Sequence, residues 1–506
     1  MKTILYSTKA ALFIPVLACL FSLQLKAQTD FKLSDYKNPD YQYRSLDFGL
    51  GLSGNNSIIK SEFVDDYTDK NNNNTFFGDF RTSYFSTKNS EFYQGSQSYQ
   101  LNFSAYGSKN KSETSGSTVF ESTNKGNSQN MSFGVYSSNR FYNSKKRFIE
   151  TNLDFSGLLG NSKNNRTTSM ITYPYNYKNQ SGNYLISATV PLLVGTGRIE
   201  EVQDARLAVY ILDDLLKSGD LTKTPDKDEI LAFSKFITQT KNQRYFDSRI
   251  RKIAEITSID SFLTANGLKG QSDASYYTLI NDNWDNSNGP VRTTGSRFSI
   301  GIEPGFSSEF DQYINYVVDT NATVTDLKSK NIQQIDSWKL DAVAYYVCEK
   351  PINLSWQRST TVSLAYSLAN NETSSKSYSN DVLTDDLNQM THAPGLLIGA
   401  AHSYGYYPNS RTSIRFGANA YLHQYWLDNK LNDNPSVNSD DTQIVSNLFL
   451  NCSYYFSPQL RFSVYVFEMY QYNKVTEKGT ALGSHDVTRK NYFNSNINAS
   501  ITYSLF

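Results

Sequence analysis

The chain has 506 residues with 48 basic and 48 acidic side chains, so no net field draws it toward nucleic acid or an anionic surface. Mean hydropathy is -0.52 and no apolar run beyond the first residues is long enough for a helical span, which excludes a helical membrane protein. Yet 37 Tyr and 30 Phe are many for so polar a chain. A transmembrane β-barrel explains both, because its interfaces need aromatic rings while its polar lumen lowers the average.

Residues 1–27 read as a secretory signal. Lys2 and Lys9 supply a charged start, residues 10–25 an apolar core, and cleavage after Ala27 leaves Gln28 first. Removing that segment leaves Cys348 and Cys452, which fall several strands apart and are expected as free thiols.

Period-two runs bounded by turn residues give about fourteen candidate strands. Six lie in residues 28–194, at 43–54, 76–86, 98–107, 130–138, 148–158 and 183–194. Between them, long polar links at 55–75, 108–129 and 160–182 alternate with shorter turns at 88–97 and 139–146. Asn71 to Asn74 and the stretch 109–128 are poor in apolar residues and are expected as mobile surface loops.

Residues 195–295 break the size rule while keeping the parity, since a short turn is due there. The apolar spacing becomes helical: Val202, Ala205, Val209, Leu212 and Leu216 recur at threes and fours, with Gly219 placed to end the run. A second helix is expected to start at Thr224-Pro225 and use Ile230, Phe233 and Ile237. A third is expected over 247–263, through Ile250, Ile253, Ala254 and Thr257, ending at Asn266-Gly267. Three short amphipathic helices can bury their stripes on one another. The segment reads as a module hung from the periplasmic rim, with entry into the lumen as a plug the alternative.

Eight further strands follow in residues 296–506, at 296–306, 334–347, 352–368, 396–405, 411–425, 443–456, 460–470 and 492–505. Short Pro-containing turns at 348–351, 406–410 and 456–459 alternate with long links at 311–333, 370–394, 428–441 and 473–490. Short turns on one side and long loops on the other place both termini at the periplasmic end and imply an even strand number.

In the last stretch Ile497, Ala499, Ile501, Tyr503 and Leu505 alternate with Asn496, Asn498, Ser500, Thr502 and Ser504. The run stops on the aromatic Phe506. It resembles the closing strand of bacterial outer-membrane β-barrels. The resemblance implies an all-β, antiparallel transmembrane barrel in the outer membrane, closed by pairing of last strand with first.

Alternation then assigns faces. Ile414, Phe416, Ala418, Ala420 and Leu422 point to lipid, as do Trp338, Leu340, Ala342 and Ala344. The lumen receives Asp47, Asp79, Arg81, Glu150, Asp154, Arg297, Glu303, Lys339, Asp341, Arg411, Arg415, His423 and Arg461. A charge on the lipid face at mid-bilayer costs about 2–4 kcal/mol, which enforces this sorting. Arg358 shares phase with Leu354, Trp356, Val362 and Leu364, so a bulge or a position at the membrane edge is expected there. The inward charges read either as a pore lining or as pairs that fill and brace the lumen.

Catalytic signatures are missing. His392, His402, His423 and His485 show no metal-ligand spacing, no Gly-x-Ser-x-Gly elbow frames a serine, and no phosphate loop or basic stripe occurs. No enzyme, cofactor or nucleic-acid partner is expected. Three functions fit: a channel or transporter for small solutes, an anchoring or assembly protein gripping a periplasmic partner through residues 195–295, and a secreted β-rich adhesin. In the first two, outer-membrane lipid is the surrounding partner.

Overall fold

The computed structural model describes residues 31–503 except 63–67, 116–119, 170–174, 244–247, 286–290, 320–326, 433–436, 458 and 479–484. The expected signal segment and the terminal Phe506 lie outside the described residues. After a single 3-10 turn at Leu33–Asp35 come β1 (Tyr41–Glu62), β2 (Thr68–Ser90), β3 (Tyr93–Ser115) and β4 (Phe120–Tyr142). Next are β5 (Arg147–Ser169), β6 (Tyr175–Thr189) and β7 (Leu192–Glu201). Among the described residues four helices follow: α1 (Gln203–Ser218), α2 (Lys227–Lys241), α3 (Ser248–Ala265) and α4 (Ala274–Asp285). The chain then resumes with β8 (Thr293–Asp319), β9 (Leu327–Pro351), β10 (Trp356–Ser379), β11 (Val382–His392) and β12 (Gly395–Tyr406). It ends with β13 (Thr412–Leu431), β14 (Val437–Tyr455), β15 (Leu460–Lys478) and β16 (His485–Tyr503).

All the strands join one antiparallel up-and-down barrel sheet. Two pairs of segments share their neighbours: β6 and β7 both pair with β5 and β8, and β11 and β12 both pair with β10 and β13. Each pair is one strand position interrupted at a proline, Pro191 or Pro394. Proline has no N–H to give the ladder, so regular pairing lapses there and resumes. Sixteen segments therefore occupy fourteen positions across the sheet. Among the described residues β1 is bonded only to β2 and β16 only to β15, so the ladder expected between last strand and first is not formed there. Both edge strands are exposed on both faces.

Each expected strand overlaps an observed one, but the bounds differ, 183–194 is split between β6 and β7, and most observed strands are far longer. The polar links continue the hairpins: Asn71 to Asn74 pair with Asn56 to Ile59 and with Lys109 to Ser112, and Lys109 to Thr114 pair with β4. The loops expected at 71–74 and, within the described residues, at 109–128 are thus strand. Apolar alternation marks only the part of a strand that faces oil, whereas the hydrogen-bond ladder needs no apolar residue. The strand expected from 352 starts at Trp356, after a turn whose Asn353 Oδ1 accepts from the backbone N–H of Ser355 and Trp356. No register shift occurs near Arg358, so it is the strand-end position, not a bulge.

The inserted segment runs over 202–292 rather than 195–295, because β7 and β8 keep pairing out to Glu201 opposite Thr293. Gly219 ends α1 in the left-handed conformation, φ 84°, as expected. The cap of α2 is Asp226, not Thr224: its carboxylate accepts from Glu229 N–H while Glu229 returns to Asp226 N–H. Sequence periodicity missed α4, a short helix with tyrosines, asparagines and Trp284 in place of an aliphatic stripe. Leu207, Ile211, Leu215, Phe233, Ile237, Ile259, Leu263, Tyr276 and Ile280 form the module's own core.

Candidate functional site

One face of the sheet carries exposed apolar side chains in a band near the short-turn end. Leu46, Phe48, Leu50 and Leu52 line it on β1, Phe298, Ile300 and Ile302 on β8, and Val362, Leu364, Tyr366 and Leu368 on β10. The expected outward set belongs here too, for Leu340, Ala342 and Ala344 oppose Leu368, Tyr366 and Leu364. Seven residues from Leu46 to Leu52 span about 20 Å, close to the apolar band of a membrane barrel. The other phase holds the buried strand residues Glu150, Ser299, Gln357 and Ser403, which marks it as concave. At the strand ends Arg44, Lys350 and Arg358 share the outward phase, and within the band Glu468 breaks the sorting. Glu468 shares phase with Val464, Val466 and Tyr470 and lies opposite Leu448 and Ser495.

The pairings place twelve of the thirteen proposed lining residues in the concave phase. Asp79 and Arg81 pair at 2.8 Å beside Asp47 and Ser83. Glu150, 3% exposed, accepts two bonds from Arg140 at 2.7 and 2.8 Å. Glu303 lies directly opposite Asp341 and accepts from Tyr345 Oη at 3.0 Å, while Lys339 reaches Asp341 at 3.5 Å. Arg415 donates to Ser403 Oγ at 3.3 Å and lies 5.7 Å over the Phe449 ring. His423 lies edge-on to Tyr425, Arg461 sits over Tyr455, Asp154 opposes Tyr136, and Arg297 opposes Gly197. Between these charges the phase is filled by short side chains such as Ser96, Ser98, Ser138, Ser156, Ser187, Ser307 and Ser337.

Arg411 is the exception. It precedes β13 in a turn, where strand parity assigns no face, and its guanidinium pairs with Asp282 of α4. It belongs to a joint between the helices and the short-turn end, which sequence reasoning did not find.

That joint touches the rim at widely separated points. Past Gly195 and Gly197 (φ 95°) the β7–β8 ribbon leaves β5 behind. Arg198 then donates to Glu91 O at 2.7 Å, Ser90 O at 2.8 Å and Asn89 Oδ1 at 3.0 Å, with its guanidinium 4.9 Å from the Tyr142 ring. In a flat sheet, β7 and β2 would stand about 19 Å apart, four strand spacings, so this contact requires a strongly curled wall. On the far side Tyr210 Oη of α1 donates to Tyr407 O at 3.0 Å. Arg292, fully buried, gives its guanidinium hydrogens to Leu354 O, Asn353 O, Trp356 O and Gln357 Oε1 in the β9–β10 turn. The segment before β1 takes part as well: Tyr36 Oη shares a 2.6 Å bond with Thr238 Oγ1, and Asp35 pairs with Lys227. Burial, and then the like charge of Arg206, push the Arg292 guanidinium down to about 10. The helices make these contacts with turns at one end of the sheet.

Cys348 and Cys452 are free, on β9 and β14. Among the described residues no cluster of His, Cys, Asp and Glu is arranged to hold a metal.

No family model and no curated protein matches the chain. Among solved structures it is similar to the translocator domain of the autotransporter NalP from Neisseria meningitidis, at 8% identity and TM-score 0.21, covering 84% of this chain and 95% of that one. The transport unit of the autotransporter AIDA-I from Escherichia coli aligns at 9% identity and TM-score 0.18, over 82% of this chain and 91% of that one. Likeness at this level assigns neither family nor function. The class is defined by the sheet itself: an antiparallel β-barrel fold with an apolar convex band, a polar concave face and a helical module at one rim.

Proposed function

We propose that the chain is an outer-membrane channel for small polar solutes whose periplasmic mouth is spanned by the helical module. The observation that carries this reading is the sorting of the strands, over the band, into an exposed apolar phase and a concave phase of serines, charged residues and aromatic rings. Closed on itself, a wall of fourteen spacings of about 4.8 Å, tilted by about 40°, has a backbone radius of roughly 14 Å. Serine and glycine cannot fill that width, so water would. Both signs of charge line the face, some of them paired as in Arg81–Asp79, Arg140–Glu150 and Lys339–Asp341, which supports weak ion selectivity. Planar-bilayer recording of the full mature chain tests the reading. Discrete conductance steps are expected, and silence from protein with intact barrel mobility on unheated gels would reject it.

A second reading gives the module a periplasmic protein partner. It is supported by Ile253 and Tyr277, which stand exposed on the module away from its core. Deleting 203–285 would then abolish partner capture while leaving conductance in place.

A further inference from the structure

Arg206 stands on the first turns of α1 with only 5% of its surface exposed. Its Nη1 is buried without a hydrogen-bond partner, and among the described residues the ionisable groups acting on its guanidinium are tyrosines, not carboxylates. Its neighbours are two aromatic faces, with Tyr210 at 5.6 Å and Tyr407 at 5.5 Å from the guanidinium carbon. The second buried guanidinium, Arg292, lies 5.4 Å from that same Tyr407 ring. Arg292 has satisfied itself with carbonyl oxygens, so it offers Arg206 repulsion and no acceptor. The nearest relay to a carboxylate is indirect: Gln357 accepts from Arg292 and donates to Glu349, which Ser359 also holds. Two desolvated positive charges therefore share one tyrosine with no carboxylate on either.

Cation–π contact, even desolvated, returns less than the burial of an uncompensated charge costs. A guanidinium also presents five donors in a planar fork suited to two oxygens of one group. We propose that Arg206, backed by Arg292 and walled by Tyr210 and Tyr407, is the binding site for a small oxyanion, a phosphate- or carboxylate-bearing solute, at the joint between the module and the barrel rim. Binding there neutralises the joint, so the anion strengthens the docking of the helices across the mouth. The site does not depend on whether the lumen conducts.

The test is calorimetric titration of the full mature chain in detergent with inorganic phosphate and with succinate, at fixed pH and ionic strength against chloride. Heat saturating with phosphate alone, with succinate alone, or with both supports the site and names the oxyanion class. No saturable heat with either overturns it. Arg206→Met should weaken binding at least tenfold, and Arg206→Lys, which keeps the charge but loses the fork, should weaken it less. Unaltered affinity in Arg206→Met overturns the assignment. Melting of the helical signal supplies a readout independent of affinity. In chloride Arg206→Met should melt no earlier than the parent, since it removes an uncompensated charge, and in phosphate the parent should overtake it. The same order in both buffers would count against the site.

Discussion

Replacing Phe233 by alanine probes whether the module is a folding unit separate from the wall. Phe233 is fully buried, stacked on Phe262 at 5.3 Å, in a core of module residues against which Phe31 of the N-terminal segment also packs. A buried Phe→Ala change costs about 3–5 kcal/mol. A unit of roughly 80 residues holds about 4–12 kcal/mol, so the variant loses between about a quarter and all of the module's stability. At about 4–8 °C per kcal/mol, the helical melt should fall by roughly 12–40 °C. The barrel contributes no residue to this core, so its heat-modifiable gel mobility should stay unchanged. Limited trypsin digestion should cut within 203–285 and spare the strands. If the module spans the mouth, single-channel conductance should rise as well. A single transition in which helix signal and barrel mobility vanish together would refute the separation.

Face assignment is checked on β10, where Val362→Arg puts a charge on the apolar band and should cost about 2–4 kcal/mol in folding equilibria. Its neighbour Thr361→Arg enters the concave phase and should be tolerated, and equal costs would undo the facing. Gly197 has φ 95°, and a Cβ there would meet Ser296 O at 2.1 Å. Gly197→Ala should therefore loosen the β7–β8 ribbon, read as faster trypsin release of the helices. Burial raises the Asp213 carboxyl above its ordinary range, against the pull of Lys217. A raised carboxyl contributes stability when protonated and loses it as pH rises through the folded value. Asp213→Asn should thus match the parent in acid and melt later near neutrality, and an earlier melt near neutrality would contradict the sign. Arg411 and Asp282 form a half-exposed pair, so a double-mutant cycle should give a coupling of only about 0.2–1 kcal/mol.

The faces of the wall were legible because strand parity is absolute: once Leu364 looks outward, Thr361, Ser363 and Ala365 cannot. Val202 to Gly219 was legible for the same reason at the helical period. Strand ends were not, since Asn71 or Lys111 bonds its neighbour strand through backbone groups that every residue carries. Arg411 was misplaced because parity ends where the strand does. The sequence by itself therefore determined the alternation, the hairpin order and the position of the insertion. Only the tertiary structure decided what the insertion touches. Arg206, Arg292 and Tyr407 are far apart along the chain and carry no local pattern, and they meet because the curled wall brings separated turns beneath one group of helices.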